Sequence, residues 1–503
     1  MKSYFLGIDV GTYESKGVLI DEHCQIVADH AVKHDLENPA PKHFEHDAEK
    51  VWWGDFCQLS RTLIEKAAIQ PSQIACIGSS ALGADCLPVD EHCQPLRKAI
   101  LYGIDSRSDN EMAYLTQYYG AEKIGQIYGR PICSSDVAPK ILWIKNNEPE
   151  VYKRTYKFLT ATSYLTAKLT DNYVIDKFLI NTFAPAYRSD GSINDDLCSL
   201  FCRSDQLAEC RGTVDVVGKV TASAAAQTGL AEGTPVITGT DDAGAEAIST
   251  GVFQPGDMMI MIGSSCYLIY CSDRLVVDDR IWHDEFIIPG TYSVSAGTNT
   301  AGTLTRWYRD TLYFDALATQ EGTGRNAYET MTNGLGSIPA GSDGLITLPY
   351  FAGERTPIND PLAKGVIFGL KLNHTRAHLY RSALEGVGYS IDQHLDILKE
   401  HHLPLKKIMA VGGGTKNLAW LKIIADITNQ TINTASVTIG AAFGDALMAA
   451  LAQGRYKSFA DFDDVIKPGR VIRPDAQNHE QYRKYRKAFD QLYSITKDLM
   501  HSL

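Results

Sequence analysis

The chain has 503 residues, a length that predicts about three domains or two large ones at roughly 150 residues per domain. It carries 48 Lys and Arg against 60 Asp and Glu, a formal net charge of −12, which argues against a general nucleic-acid binder. Hydrophobic residues make up 44% and charged residues 21%, the proportions of a folded globular protein.

The cysteines and the apolar runs indicate the cellular compartment of the protein. The eleven cysteines form no CxxC pair, and Cys198, Cys202 and Cys210 have no nearby histidine to complete a zinc pattern. Reduced thiols are therefore expected. No stretch approaches ~18 uninterrupted apolar residues, and the chain begins without an apolar signal core. These features predict a cytoplasmic protein that does not span a membrane.

The first part of the chain predicts a sheet followed by helices. A tight glycine turn is expected between the first two strands, because a short apolar run ends in Asp-Val-Gly-Thr before the next run begins. The predicted strands cover residues 4–9, 15–21, 25–34, 74–79 and 86–89. The predicted helices cover residues 48–69, 136–147 and 152–169.

A second series of elements begins near Pro235. Residues 236–242 predict a strand that ends in a polar turn, and residues 258–263 and 267–270 predict two strands around a glycine and serine turn. Because this repeats the layout of the N-terminus, we place the domain boundary between residues 1–236 and 237–503. Helices are also expected at 418–428 and 441–453. This alternation is typical of an α/β fold.

Three turns rich in glycine and hydroxyl groups follow predicted strands. Such turns bring backbone N–H groups close to an anion, and a neighbouring hydroxyl adds a donor, which suits nucleotide phosphates. Neither a P-loop nor a GxGxxG dinucleotide motif is present. A different phosphate-binding architecture is therefore expected. The three turns are Asp9-Val10-Gly11-Thr12, Gly263-Ser264-Ser265 and Gly412-Gly413-Gly414-Thr415.

Carboxylates at the strand ends supply a second kind of chemistry. Asp9 ends the first strand beside a glycine turn, where an oxygen ligand can hold Mg²⁺ directly or through water. Asp241 and Asp242 end the strand that opens the second series. Carboxylates facing phosphate-binding turns suit phosphoryl transfer, in which a base receives the hydroxyl proton. On the pattern alone, a role for both aspartates as helix N-caps before Ala243 is an equal alternative.

The chain contains two longer segments and several short motifs that match the sequence signatures of one protein family. Residues 365–370 and, seven residues later, 378–385 match a C-terminal signature position by position; residues 135–144 nearly match an earlier one, from which Val137 departs. The short motifs are residues 7–12 with Lys16, 105–107, 263–265, Gly302 before 306–310, and 412–417. In their order and spacing these motifs resemble the FGGY carbohydrate kinases over nearly the whole chain.

This resemblance implies an α/β fold of two actin-like ATPase domains, each ribonuclease H-like, flanking a nucleotide cleft. It implies ATP and Mg²⁺ as cofactors, with Asp241 as the general base and Asp9 as the carboxylate associated with the metal. His378 and Glu385 are expected to be structural. The residues expected to bind the nucleotide are Gly11, Thr12, Lys16, Gly263, Ser264, Gly302, Gly414 and Asn417.

The sugar side is where the chain departs from the family. Asp242 falls where relatives carry Asn or Gln to hold a sugar hydroxyl. The xylulose kinases that this chain resembles carry a Met-His pair in the strand-end loop, whereas this chain has Leu82-Gly83-Ala84-Asp85, in which Asp85 is a candidate new hydroxyl acceptor. Asp105 is a further candidate sugar ligand, and an ion pair with Arg107 is an equal alternative. The expected sugar contacts are therefore Gly83, Asp85, Asp105 and Asp242.

The resemblance implies ATP-dependent phosphorylation of a small-molecule sugar, most of all a ketopentose such as xylulose or ribulose. A kinase for another ketose, a deoxy-sugar such as fuculose, a polyol such as erythritol or a signalling molecule is a second interpretation, motivated by the altered loop at 82–85. A non-catalytic ATP-binding regulator is a third. Neither nucleic acid nor a membrane is an expected partner, and a homodimer is left open.

Overall fold

The computed structural model describes residues 3–128, 130–437 and 439–503. Its strands are, in chain order, β1 (Tyr4–Val10), β2 (Glu14–Asp21), β3 (Ile26–Lys33), β4 (Glu37–Ala40), β5 (His43–His46), β6 (Ile74–Ala81), β7 (Leu87–Val89), β8 (Ala99–Ile100), β9 (Lys157–Leu159), β10 (Val174–Asp176), β11 (Glu209–Arg211), β12 (Val216–Lys219), β13 (Pro235–Ile237), β14 (Thr240–Asp241), β15 (Asp257–Ile262), β16 (Cys266–Ser272), β17 (Trp282–Glu285), β18 (Tyr292–Thr298), β19 (Ile346–Leu348), β20 (Val366–Phe368), β21 (Lys407–Val411), β22 (Ile432–Ala435) and β23 (Pro468–Ile472).

The α-helices, also in chain order, are α1 (Gly54–Ala67), α2 (Asp109–Tyr119), α3 (Ala121–Tyr128), α4 (Val137–Asn147), α5 (Pro149–Arg154), α6 (Ala161–Thr170), α7 (Asp195–Cys198), α8 (Ala222–Thr228), α9 (Asp242–Ser249), α10 (Gly302–Leu312), α11 (Phe314–Thr323), α12 (Ala327–Asn333), α13 (Arg376–Glu400), α14 (Leu418–Thr428), α15 (Ala441–Ala452) and α16 (Ala476–Ser502). A π-helical segment, Ala48–Trp53, leads into α1. No helix in these described ranges is both long and apolar enough to cross a bilayer.

The first sheet brings three strand ends together. Its order is β12-β13-β6-β1-β2-β3, with β14 also paired to β6. β1 and β2 form an antiparallel hairpin in which Val10 pairs with Ser15, so the predicted turn between them is confirmed. β6 runs parallel to β1, and β14 runs parallel to β6 with Asp241 opposite Ala81. The carboxyl ends of β1, β6 and β14 therefore meet at one edge, the place where α/β sheets bind ligands.

The second sheet repeats the hairpin of the first. Its order is β17-β18-β16-β15-β21-β22-β23. β15 and β16 are antiparallel, and Ile262 pairs with Cys266 across the turn that contains Gly263 and Ser264. β21 runs parallel to β15 and ends just before Gly412. The predicted recurrence of the strand, polar turn, strand arrangement is confirmed.

Helix α15 joins the two halves. A Cβ at Gly7 would lie 2.0 Å from the carbonyl oxygen of Ala442, and one at Gly78 would lie 2.3 Å from that of Asp445. Glycines on β1 and β6 thus let α15 lie directly on the first sheet, although in the chain α15 lies between β22 and β23 of the second sheet. Buried apolar side chains form one core in each half and a third core between them, which includes much of α15.

Two expectations differ from the structure. The helix predicted over 152–169 is interrupted by β9, which pairs antiparallel with β7; Thr160 then caps α6 by accepting from the N–H of Ser163. A long-range strand pairing here overrides the local helical pattern. The strand predicted to open the second half belongs to the first sheet, since β13 and β14 both pair with β6. The boundary after residue 236 stays a prediction.

Candidate active site

Asp241 combines the two roles that its sequence pattern left open. It is the N-cap of α9, and its Oδ1 accepts a hydrogen bond of 2.7 Å from the N–H of Gly244. Its Oδ2 faces Gly83, whose added Cβ would lie 3.1 Å from it. Burial and the charge of Asp242 raise the pKa of Asp241 well above its usual range, while the Gly244 bond lowers it. One oxygen caps the helix and the other faces the strand ends.

Asp9 lies beside this group among other acids. Ser80 Oγ, on β6, lies 3.1 Å from Oδ1 of Asp9 and 2.7 Å from Oδ2 of Asp445 on α15. Burial raises the pKa of Asp9, as do the charges of Asp242 and Glu246, whereas Ser80 and Lys16 lower it. Negative charge therefore accumulates at this edge of the sheet.

The neighbouring acids show the same electrostatic strain. Burial raises the pKa of Asp242 to about 6. Burial also raises the pKa of Glu246 to about 7, with Lys16 opposing the shift and Asp242 adding to it. The Lys16 ammonium lies 3.7 Å from Glu14 and remains partly exposed. The cluster thus contains more acidic groups than basic ones, which adds to burial in raising the pKa values of Asp9 and Glu246.

The turn of the second hairpin is joined to the start of α10. The N–H groups of Ala301 and Thr303 donate to the carbonyl of Ser264 at 2.9 and 3.0 Å, and that of Gly302 donates to Gly263 at 2.9 Å. A Cβ at Gly302 would lie 2.5 Å from the carbonyl oxygen of Gly263. Only glycine permits this approach, so the turn and the helix N-terminus form one unit.

A cavity of about 780 Å³ opens beside this unit. Five residues predicted to bind the nucleotide line it: Gly263, Ser264, Gly302, Gly414 and Asn417. Gly414 lies close to β15, since its added Cβ would be 2.3 Å from Cγ2 of Ile262. Asn417 caps α14 by accepting from the N–H of Trp420 at 3.1 Å. The structure brings these predicted residues together in one pocket.

Sequence reasoning missed several residues that line this cavity. Arg306, Tyr380 and Lys416 lie inside motifs already matched, so their positions could have been read from the sequence. Tyr328 and Glu329, on the short helix α12, belong to no motif and only the fold brings them here. Gly11, Thr12 and Lys16 lie on the first hairpin instead, outside this cavity.

The structure corrects the expectation for Asp105. Its side chain is fully buried, and the Arg107 guanidinium donates to both of its oxygens, with Nη2 2.7 Å from Oδ2. The N–H groups of Phe44 and Arg107 donate to it as well. These donors occupy both oxygens and leave none for a sugar. The alternative of an ion pair with Arg107 is the arrangement found.

Asp85 lies behind the pocket surface. It is fully buried, and its Oδ1 accepts from the N–H of Tyr102 at 3.0 Å. Its Oδ2 has no hydrogen-bond partner among the residues that the structure describes. Burial raises the pKa of Asp85 well above its usual range, against the charge of Lys140. Tyr102 Oη in turn lies 3.0 Å from Thr12 Oγ1, so Asp85 supports a residue that touches the Gly11–Thr12 turn.

Residues from both halves face each other beyond Asp241. The Arg130 guanidinium forms two hydrogen bonds with Asp136, of 2.7 and 3.0 Å. Asp284, on β17 of the second sheet, has its pKa raised by burial to about 7, with Arg130 opposing the shift. Arg130, His283 and Asp284 line a crevice of about 500 Å³ between the halves. This crevice is polar, and the positive charge of Arg130 in it is balanced by Asp136.

Comparison with known proteins gives this arrangement a family. The model of the FGGY family of carbohydrate kinases, N-terminal domain, matches residues 4–249, and that of its C-terminal domain matches residues 258–453. The xylulose kinase of Bacillus subtilis (strain 168) is 26% identical over 99% of this chain and 98% of its own length. The gluconokinase of Bacillus licheniformis is 26% identical over 96% of this chain and 94% of its own length.

A solved structure agrees with these matches. The crystal structure of xylulose kinase from Rhodospirillum rubrum superposes with a TM-score of 0.90 at 28% identity, covering 99% of this chain and all of that one. The expected α/β fold of two actin-like, ribonuclease H-like domains is confirmed. The chain belongs to the FGGY family of carbohydrate kinases.

Proposed function

We propose that this protein transfers the γ-phosphoryl group of ATP to a primary hydroxyl of a neutral sugar, with a ketopentose such as xylulose as the first candidate. The observation that carries this proposal is the geometry of Asp241. Its Oδ1 is held by Gly244 while its Oδ2 faces Gly83, and within the described chain no donor bonds to that second oxygen. A positioned, free carboxylate oxygen is what a general base requires.

The raised pKa of Asp241 suits this role. A base works best when its pKa approaches the working pH, because it then accepts the hydroxyl proton readily and is still deprotonated in much of the population. Burial and Asp242 supply the shift. The hydrogen bond from Gly244 fixes the orientation of the carboxylate, so the proton is accepted at one defined atom, Oδ2.

The phosphates of the nucleotide would lie between the two hairpin turns. On the second-sheet side, Gly263 and Ser264 are held against the N-terminus of α10, where the helix dipole favours an anion. On the first-sheet side, the Gly11–Thr12 turn faces the same edge as Asp9. The adenosine would occupy the cavity lined by Gly414 and Asn417.

Asp9 is the residue that would hold Mg²⁺. Burial and the nearby acids Asp242 and Glu246 raise its pKa, against the hydrogen bond from Ser80 and the charge of Lys16, so a divalent cation would relieve the repulsion. In the described ranges no three His, Cys, Asp or Glu side chains are grouped to coordinate a metal. This agrees with Mg²⁺, which binds through one or two carboxylates plus phosphates and waters. When bound, Mg²⁺ supplies neutralisation of phosphate charge.

The charge of the sugar side favours a neutral acceptor over a sugar acid. The carboxyl groups of Asp241, Asp242 and Asp284 lie near the transfer site, and Arg130 is already paired with Asp136. A carboxylate on the substrate would meet repulsion from whichever of these groups is ionised. The names of the xylulose kinase relatives point the same way, whereas the gluconokinase relatives name the competing substrate class.

An ADP-release assay over ketopentoses, fuculose, erythritol, glycerol and gluconate tests this proposal. We expect turnover with a ketopentose, little with gluconate, and loss of transfer with retained ATP binding in Asp241→Asn. Asp475→Asn is the matched control. Asp475 also caps a helix, α16, but it lines neither the large cavity nor the crevice between the halves. Asn preserves both caps, so stability should be similar in the two variants.

Three outcomes would contradict parts of this proposal. Full turnover by Asp241→Asn would remove the base assignment. Preference for gluconate would remove the argument from charge. ATP binding without any phosphorylated product would favour a non-catalytic regulator. The expected cytoplasmic location and the homodimer stay predictions.

A further inference from the structure

His34 lies directly behind the first phosphate turn. It follows β3, and its backbone N–H donates to the carbonyl of Tyr13 at 3.0 Å. Its ring Nε2 is 3.0 Å from the carbonyl oxygen of Gly11, and its Nδ1 is 2.7 Å from Oδ2 of Asp55 on α1. The side chains of His34 and Asp55 are only 7% and 10% exposed. His34 therefore contacts two carbonyl oxygens of the turn, that of Tyr13 through its backbone N–H and that of Gly11 through its ring.

Both partners of the imidazole ring are acceptors. A backbone carbonyl cannot donate, and Oδ2 of Asp55 already accepts from the hydroxyl of Ser15 at 2.7 Å. A neutral imidazole carries a single N–H and satisfies only one of these acceptors, whereas an imidazolium satisfies both. Burial by itself lowers the pKa of His34, but the bond to Asp55 and its charge outweigh this and raise the pKa above its usual value.

The groups around His34 favour a positive charge on its ring and none on the neighbouring ring of His46. Asp55 faces the ring from α1, and His46 lies edge-on to it with ring centres 5.2 Å apart. Burial and the charge of His34 lower the pKa of His46 to about 4, so His46 is neutral and accepts from Trp52 Nε1 at 3.1 Å. Glu37, from β4, acts on His46 and adds negative charge to this region.

The peptide geometry carries the effect to the front of the turn. The C=O of Gly11 and the N–H of Thr12 belong to one peptide group, and in a planar trans peptide they point in opposite directions. Because His34 binds the oxygen from behind, the Thr12 N–H points away from His34. A cationic donor on the carbonyl also polarises the peptide and strengthens the opposite N–H as a donor.

We propose that His34, held as an imidazolium by Asp55, is a positioning residue that orients the Gly11–Thr12 peptide toward a nucleotide phosphate. This rests on the proposed function, since it takes Thr12 as a phosphate contact. His34 touches neither substrate nor metal and acts only through the turn.

Nitrogen NMR of histidine-labelled protein tests the charge without using activity. In the wild-type protein at pH 7.5 we expect both ring nitrogens of His34 to carry a proton, with its signals assigned by comparison with His34→Gln. In Asp55→Asn, His34 should lose one of these protons, because the neutral amide no longer stabilises the cation. A His34 ring with one proton at pH 7.5 in the wild-type protein would overturn the proposal.

Kinetics test the positioning. His34→Gln should raise the KM for ATP by about tenfold, the size expected for one charge-assisted hydrogen bond, while kcat changes less than twofold. Asp55→Asn should act in the same direction, and the double variant should be no worse than His34→Gln, since the two residues act as one unit. His30→Gln, on β3 just before His34 but bonded to Lys66 instead, is the matched control and should keep the wild-type KM.

The KM for ATP should depend on pH in a defined direction. Because the pKa of His34 is raised, its contribution is present at lower pH and is lost as pH rises through that pKa, so the KM for ATP should rise with pH in the wild-type protein and not in His34→Gln. An unchanged KM in a folded His34→Gln would overturn the proposal. If that variant does not fold, Asp55→Asn decides alone: one doubly protonated histidine ring of the wild-type protein should lose a proton in it, and the absence of any such change would overturn the proposal. A doubly protonated His34 in a protein that phosphorylates no sugar would support its charge and contradict only the proposed function.

Discussion

Gly83 and the carboxylate of Asp241 lie in contact across the ends of two neighbouring strands. A Cβ at residue 83 would lie 3.0 Å from Cβ of Asp241 and 3.1 Å from its Oδ2. The free oxygen of Asp241 thus has its position because residue 83 has no side chain. This contact links the altered sugar loop to the proposed base, two features that lie far apart in the sequence.

Gly83→Ala should therefore displace the Asp241 carboxylate. We expect kcat to fall by about ten- to hundredfold, since small displacements of a reacting group have large effects, while the KM for ATP stays close to the wild-type value. Steady-state kinetics with the best sugar measure this. Gly125→Ala is the control, because a Cβ there meets nothing within 4 Å. Unchanged kcat in Gly83→Ala would show that the contact does not position the base.

Asp242→Asn should move the pH profile of the enzyme. The charge of Asp242 raises the pKa of Asp241, so its removal lowers that pKa. A base must be deprotonated, so activity rises with pH through its pKa, and the acid limb of kcat/KM should shift to lower pH. Asp284→Asn, a weaker influence of the same sign, should produce a smaller shift. A shift of the limb toward higher pH would contradict this account.

Asp445→Asn should stabilise the protein at neutral pH. Asp445 is fully buried, and its Oδ1 has no hydrogen-bond partner in the described part of the chain. Burial and the charge of Asp9 raise its pKa well above the usual value, so the folded state loses stability as pH rises. We expect a gain of about 1–3 kcal/mol in the free energy of unfolding at pH 7.5, shrinking toward pH 4.

Urea unfolding at both pH values measures this gain. Asp426→Asn is the matched control: Asp426 is also buried, but it accepts from the N–H of Asp475 at 2.7 Å and from Asn478 at 2.9 Å. Its replacement should destabilise the protein, because it weakens bonds that are made. The same sign in both variants would contradict the argument.

Gly302→Ala should weaken nucleotide binding. Its Cβ would lie 2.5 Å from the backbone oxygen of Gly263, so α10 must move away from the turn. We expect at least a tenfold rise in the KM for ATP, measured by titration of the nucleotide at saturating sugar, because the helix N-terminus and the turn no longer meet at one wall of the cavity. Gly322→Ala, in α11 with open space around it, should leave this KM unchanged.

Local patterns in the sequence were enough to predict the pieces of the site. A glycine-containing segment between two apolar runs predicts a tight turn, and the turns after β1 and β15 are found as predicted. The motifs around Gly263, Gly302 and Gly414 lie in one cavity, as their family order implied. These features depend on residues close to one another in the chain, so a linear pattern contains them.

What the sequence by itself determined, then, was the α/β fold class, the family and five of the residues that line the cavity of about 780 Å³. Only the tertiary structure decided that β14 joins the first sheet beside Asp9, that Asp105 is paired with Arg107, and that His34 lies behind Gly11. Each of these depends on a pairing between distant segments or on the burial of a polar group. Such contacts are chosen by the free energy of the whole fold, so no local spacing could reveal them.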